Sequence, residues 1–176
     1  PQGLPRKTME QFSLSQHPNA LRRSINWLYN WSLIFAAADA LPVAAAVEGW
    51  TGAILLVHAR SLARAEALRS RFPDRIMIGE SAASVASQVD LLVNATPVGL
   101  AGESLPLDPI HIPRTTAVLD LTYRAGLTPW VRACRAAGHT ADDGLRMLVE
   151  QGAHAFVRWF GTEPDRTAMW GALQAA

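Results

Sequence analysis

The sequence contains few of the residues on which several classes of protein depend. Its 176 residues include one cysteine, Cys134, so the chain forms no internal disulfide and no multi-cysteine metal site. This composition favours a reducing compartment, and we expect a cytoplasmic protein in which Cys134 is a small buried residue on a helix. Lysine is also scarce. Lys7 is the only lysine, so a mechanism that uses a lysine as acid or base has one candidate.

Strong net charge and a long uninterrupted apolar run are absent as well. The formal charge is +1, which gives no reason to expect a nucleic acid or an anionic membrane as partner. One apolar stretch, residues 27–47, is interrupted by Asn30, Asp39 and Pro42, which argues against a membrane span. No metal site is predicted, because no metal-ligand spacing is evident among His58, His111, His139 and His154. The sequence leaves open whether the protein is a homo-oligomer.

Composition separates a leader from a folded domain. Residues 1–31 begin with a polar, proline-containing segment, and we interpret them as a leader or remnant segment. Residues 32–176 are interpreted as one domain. Short apolar runs predict strands at 32–35, 53–57, 75–78, 90–93 and 117–121, and helices are predicted at 61–72, 82–88, 128–137, 145–159 and 165–175. This alternation predicts an α/β fold, a Rossmann-type doubly wound parallel sheet, in which ligands bind at the carboxyl ends of the strands.

The residues after the strand at 53–57 suggest a site for a phosphorylated nucleotide. An NAD site would place an Asp or Glu there to bind the ribose, whereas this chain has Arg60 and Arg64 around Ser61. If Ser61 caps the next helix, Arg64 opposes the helix dipole, which suggests a binding role. The two arginines could grip a 2′-phosphate. The alternative is a pair of solvated surface arginines.

Further candidate residues follow later strands or lie on a late helix. Asn94 and Thr96 could present an amide and a hydroxyl group to a ribose, although both are ordinary turn residues. Tyr123 could direct its hydroxyl group into the cleft, or simply keep its tip in water. On a helix that starts near Gly144, Gln151 shares a stripe with Met147, and a buried amide there needs a partner. A polar ligand or a backbone carbonyl could supply it.

The runs NATPVGL, LPLD, VLDLTYRAGLTPWVRACRAAG and DDGLRMLVEQGAHAFVRWFG occur in this order and spacing. They resemble the carboxyl-terminal half of shikimate dehydrogenase over about residues 50 to 172. The resemblance implies NADP as cofactor and shikimate or 3-dehydroshikimate as substrate. Its implied cofactor contacts are Arg60, Ser61 and Arg64 at the 2′-phosphate, Thr96 beside the cofactor, and Gly144 and Met147 near the nicotinamide. Its implied substrate contacts are Tyr123 and Gln151.

Two departures from the family lie upstream of about residue 49. Residues 35–42 read FAAADALP where the family has a glycine-rich loop whose backbone approaches a pyrophosphate. The family's catalytic lysine and aspartate, from an amino-terminal substrate domain, have no counterpart here, so the catalytic residues are unknown. We therefore expect an NADP-dependent shikimate dehydrogenase-like oxidoreductase of the shikimate pathway, which makes chorismate and the aromatic amino acids, with weak or absent turnover by this chain alone. The alternative is a non-catalytic nucleotide- or metabolite-binding module, arising by truncation, a shifted reading frame or loss of activity.

Overall fold

The computed structural model of the protein describes residue 44, residue 50 and residues 52–175. Within this part of the chain, strands alternate with helices. The strands are β1 (Leu55–Val57), β2 (Ile76–Ile78), β3 (Leu91–Asn94), β4 (Ala117–Asp120) and β5 (Ala141–Asp142). The helices are α1 (Leu62–Arg71), α2 (Ala82–Ala86), α3 (Pro129–Ala136), α4 (Leu145–Phe160) and α5 (Arg166–Ala175), and a short 3-10 helix spans Pro109–His111.

Every strand pair in the described residues is parallel. β1 pairs with β2, and β4 pairs with both β3 and β5. In the second group, Asn94 lies opposite Asp120, so the carboxyl ends of β3 and β4 coincide. The predicted α/β alternation is thus observed. Three predicted features lie outside the described residues: the leader at 1–31, the strand at 32–35, and residues 35–42, which differ from the family's glycine-rich loop. The domain boundary at residue 32 stays a prediction.

Two of the differences from the sequence prediction have a clear physical cause. The first strand begins at Leu55, because a turn precedes it, in which Ala53 N donates to the Trp50 carbonyl and Gly52 has a φ of 75°. The two-residue strand β5 was not predicted, because so short a run carries no periodicity. Its position is set by pairing with β4, which only the folded chain reveals.

Two apolar clusters hold the elements together. One packs α3 against β4 through Val118, Trp130, Val131 and Cys134, and the other packs α1 against the first strand pair through Val57, Ala65 and Ile76. The prediction that Cys134 is a buried helical residue is confirmed. No helix among the described residues is both long and apolar enough to cross a membrane.

Candidate functional site

Polar side chains meet at the carboxyl ends of β3, β4 and β5, which we call the carboxyl edge. Asn94 and Asp120, the last residues of β3 and β4, are register partners and are both buried. The Asn94 amide Nδ2 donates to Asp120 Oδ1 over 2.9 Å. This bond joins the loop after β3 to the loop after β4 at the position where a parallel α/β sheet binds ligands.

The Asn94 side chain is fully used within the protein. Its Nδ2 also donates to the Val98 carbonyl at 3.1 Å, and its Oδ1 accepts from Thr96 N at 3.0 Å and Thr96 Oγ1 at 2.7 Å. An amide offers two donors and two acceptor positions, and all are occupied. This side chain shapes the loop that carries the exposed Thr96, and whether Asn94 also contacts a ribose stays a prediction.

Asp120 organises the neighbouring loop in the same way. Its Oδ1 accepts from Thr122 N at 3.1 Å and Thr122 Oγ1 at 2.9 Å, and its Oδ2 accepts from Thr128 Oγ1 at 2.8 Å. Thr128 in turn caps α3, with Pro129 in the first turn, as the sequence predicted. The carboxylate is 0% exposed, and these hydrogen bonds together with the one from Asn94 offset its desolvation.

The sequence pattern could have revealed this network. The triplets Asn94-Ala95-Thr96 and Asp120-Leu121-Thr122 each end a strand with an Asx residue whose side chain binds the backbone two residues on. A repeated Asx-x-Thr at two strand ends predicts two such turns. The bond between the turns was not predictable, because it joins residues 26 positions apart.

The start of α4 packs directly onto the loop after β4. Gly144 N donates to the Thr122 carbonyl at 3.1 Å, and a Cβ on Gly144 would collide with the Leu121 carbonyl. The same Cβ would lie 3.2 Å from the Tyr123 ring. This close approach explains why glycine occupies position 144. Whether Gly144 also contacts a nicotinamide stays a prediction.

Burial along α4 differs from the interpretation of its sequence. The fully buried positions are Val149 and Ala153, whereas Met147 and Gln151 are half-buried. Gln151 therefore lies beside the buried face, and the argument that a buried amide must find a partner does not apply. Tyr123 is also half-buried, and within the described part of the chain neither its hydroxyl group nor the Gln151 amide makes a hydrogen bond. Both groups could therefore bind a polar ligand.

Residues 58–64, which we call the arginine segment, follow β1. Ser61 caps α1 and accepts from Arg64 N at 3.4 Å, so the predicted cap is confirmed. Arg60 precedes the cap and Arg64 lies in the first turn, where no acidic residue is present. Both arginines are exposed, and neither forms an ion pair with any carboxylate of the described residues. Two unneutralised cations beside a helix amino terminus favour an anion.

Two groups near the carboxyl edge are electrostatically perturbed. Asp143 is 5% exposed, its Oδ1 accepts from Leu145 N at 3.0 Å, and its Oδ2 has no hydrogen-bond partner among the described residues. Burial raises the pKa of its carboxyl group, and repulsion from Asp142 adds to this. Burial, with the Asp120 charge, raises the pKa of Cys134 to about 12. The described residues contain no cluster of three or more metal-ligating side chains.

Comparison with known proteins gives a consistent result. A family model described as "Shikimate 5'-dehydrogenase C-terminal domain" matches residues 144–174. The chain is 35% identical over 147 residues to the NADP(+) shikimate dehydrogenase of Dinoroseobacter shibae, covering 78% of this chain and 53% of that protein. It is 41% identical over 120 residues to the Mesorhizobium japonicum enzyme of the same name, covering 66% and 43%.

A solved structure extends the likeness to the fold. Shikimate 5-dehydrogenase from Thermus thermophilus, in complex with NADP(H) and shikimate, superposes with a TM-score of 0.66 and 36% identity, covering 76% of this chain and 50% of that one. The predicted resemblance and the Rossmann-type α/β fold are confirmed. The chain spans about half the length of the relatives it matches.

Proposed function

We propose that this chain, which is similar to the carboxyl-terminal half of shikimate dehydrogenases, is the NADP-binding half of such an oxidoreductase. The observation that carries the proposal is the arginine segment at the capped start of α1. Arg60 and Arg64 are exposed there, and neither forms an ion pair with a carboxylate of the described residues. A dianionic 2′-phosphate would satisfy both cations through charge-assisted hydrogen bonds. The relatives named above are NADP(+) enzymes, which agrees with this specificity.

The described residues fit NADP at the 2′-phosphate end. We propose that Arg60, Ser61 and Arg64 bind that phosphate, that Thr96 lies beside the cofactor, and that Gly144 and Met147 approach the nicotinamide. When bound, NADP+ would accept a hydride from a carbon that bears a hydroxyl group, and NADPH would return it to the corresponding carbonyl carbon. The residues proposed for the substrate, shikimate or 3-dehydroshikimate, are Tyr123 and Gln151. Their polar groups make no hydrogen bond within the described part of the chain and could bind its ring substituents.

A proton must move together with the hydride, and the described residues offer no evident group for it. The relatives are about twice as long as the matched segment, and the only lysine, Lys7, lies outside the described residues. We therefore expect weak or absent turnover by this chain alone. The same observation favours a second candidate, a non-catalytic nucleotide- or metabolite-binding module. The single buried cysteine supports a cytoplasmic location for either.

Calorimetric titration of the chain with NADPH and NADH tests the proposal. We expect NADPH to bind and NADH to bind at least about tenfold more weakly, because a lost charge-assisted contact costs one to a few kcal/mol. In the double variant Arg60→Ala/Arg64→Ala, NADPH affinity should fall to the NADH level with stability unchanged. Arg71→Ala, in the last turn of α1, is the matched control and should bind as the parent does.

Equal affinity for both nucleotides, or no binding of either, contradicts the proposed specificity. Addition of shikimate and NADP+ to the same preparation tests whether the chain has activity of its own. Absence of NADPH formation despite tight NADPH binding favours the binding module, or an enzyme whose other half lies elsewhere. Measurable NADPH formation would overturn our expectation of weak or absent turnover by this chain alone.

A further inference from the structure

The carboxyl edge contains a buried charge that the proposed function does not use. Asp120 is 0% exposed and forms no ion pair with any described residue, yet its carboxylate accepts hydrogen bonds from Asn94, Thr122 and Thr128. Burying an ion without a counter-ion is costly, and a structural role at a strand end could be served by an uncharged residue. The three residues that donate to the Asp120 carboxylate indicate its role.

Each partner of Asp120 belongs to a different segment. Asn94 carries the turn after β3, Thr122 belongs to the turn after β4, and Thr128 caps α3. A carboxylate accepts at both oxygens and donates at neither, so one group can orient all three donors at once. An asparagine at position 120 would put an NH2 group in place of one carboxylate oxygen, so at least one of the three donors would lose its acceptor there.

The fixed turns hold the groups proposed for ligand binding. The hydrogen bond from Asn94 Nδ2 to Asp120 Oδ1 fixes the Asn94 amide. The Oδ1 of this amide accepts hydrogen bonds from Thr96 N and Thr96 Oγ1. In the loop after β4, Thr122 precedes Tyr123. The Thr122 carbonyl accepts a hydrogen bond from Gly144 N at the start of α4. A shift of Asp120 would therefore move Thr96, Tyr123 and Gly144 together.

We infer that Asp120 is a positioning residue, which sets the loops after β3 and β4 in one fixed arrangement through the Asn94 and Thr122 turns. Asp120 does not itself touch a ligand, because its oxygens are buried and already bonded. Its effect on the cofactor rests on the proposed function. Its effect on the loops does not.

Amide hydrogen exchange of the ligand-free chain tests the inference directly. In Asp120→Asn, exchange at Thr96 N and Thr122 N should accelerate at least about tenfold relative to core amides of β4. Thr122 N bonds to Asp120 directly, and Thr96 N bonds to the Asn94 amide that the same carboxylate holds, so removing the carboxylate charge weakens both turns. The matched control is Thr116→Val. Thr116 is buried just before β4, at the opposite end of the strand, and its hydroxyl group donates to the Val89 carbonyl at 2.9 Å. This variant should leave exchange at Thr96 and Thr122 unchanged relative to the core.

If Asp120→Asn does not fold, Thr122→Val replaces it. That variant removes one hydroxyl donor to Oδ1 and keeps the backbone bond, so a smaller acceleration, about threefold, is expected at Thr96 N. Unchanged exchange at Thr96 in a folded Asp120→Asn or Thr122→Val variant overturns the inference. So does an equal acceleration in Thr116→Val, because the effect would then be general destabilisation.

NADPH titration adds the functional readout. Asp120→Asn should bind NADPH about tenfold more weakly, and Thr116→Val within about twofold of the parent. If the parent chain does not bind NADPH, the proposed function fails, while the exchange result still decides the positioning role. Accelerated exchange with unchanged NADPH affinity would overturn the link from Asp120 to the cofactor.

Discussion

The arginine segment and the carboxyl edge follow parallel strands in the same fold, but they differ in how their polar groups are satisfied. Arg60 and Arg64 are exposed and lack a described carboxylate partner, whereas Asn94 and Asp120 are buried and bonded at every acceptor and donor described above. The exposed arginines remain able to bind an anionic ligand, and leaving them without an ion pair costs little free energy because water solvates them. A saturated buried network retains no such capacity, and it gives fixed geometry instead. The two regions thus divide recognition from positioning.

The largest expected effect concerns the reactivity of Cys134, which packs behind the carboxyl edge. Its pKa is raised from 9.0 to about 12, so at a given pH below 9 the thiolate is about a thousandfold scarcer than in the unfolded chain. Since Cys134 is the only cysteine, labelling by a thiol reagent reports this region alone. We expect native labelling at pH 8 to be slower than labelling in urea by a factor on the order of a thousand.

A matched cysteine on the arginine segment sharpens the contrast. Ala59 is exposed, so Ala59→Cys in a Cys134→Ala background should label at nearly the unfolded rate. Fast native labelling of Cys134 would mean that the region behind the carboxyl edge opens readily. The contrast between the exposed arginine segment and the buried, fully hydrogen-bonded carboxyl edge would then fail.

The two helix caps provide an intermediate effect. Thr128 is buried and both caps α3 and donates to Asp120, whereas Ser61 caps the exposed start of α1 through a 3.4 Å bond. We expect Thr128→Ala to lower the free energy of unfolding by about 2–4 kcal/mol, and Ser61→Ala by about 0.5–1 kcal/mol. Urea unfolding measures both. Equal losses would show that burial and the Asp120 bond add nothing to the Thr128 cap.

These contrasts mark what the sequence could predict. The caps were predictable, because Ser61 and the pair Thr128-Pro129 are signals read within one turn of helix. The strands were predictable from apolar runs, except β5, which exists only through its pairing with β4. The hydrogen-bond partners of Asn94 were not predictable, because they depend on the register between distant strands. Gln151 was placed on the right helix, but its burial depends on packing that the sequence does not contain.

The smallest expected effect concerns Asp143, where the carboxyl edge meets α4. Burial raises the pKa of this carboxyl group in the folded chain, so the protonated form is favoured there. The resulting stabilisation is complete below the ordinary value of 3.8 and is lost as pH rises through the folded-state pKa. We therefore expect the free energy of unfolding of the parent, relative to Asp143→Asn, to decline from pH 3 to pH 7. Asp142→Asn is the control, because Asp142 lies beside Arg135 at 3.4 Å and Arg146 at 3.9 Å. A parent that gains stability relative to Asp143→Asn over this range would mean that Oδ2 acquires a donor when ionised, and the carboxyl edge would then contain a second positioned carboxylate.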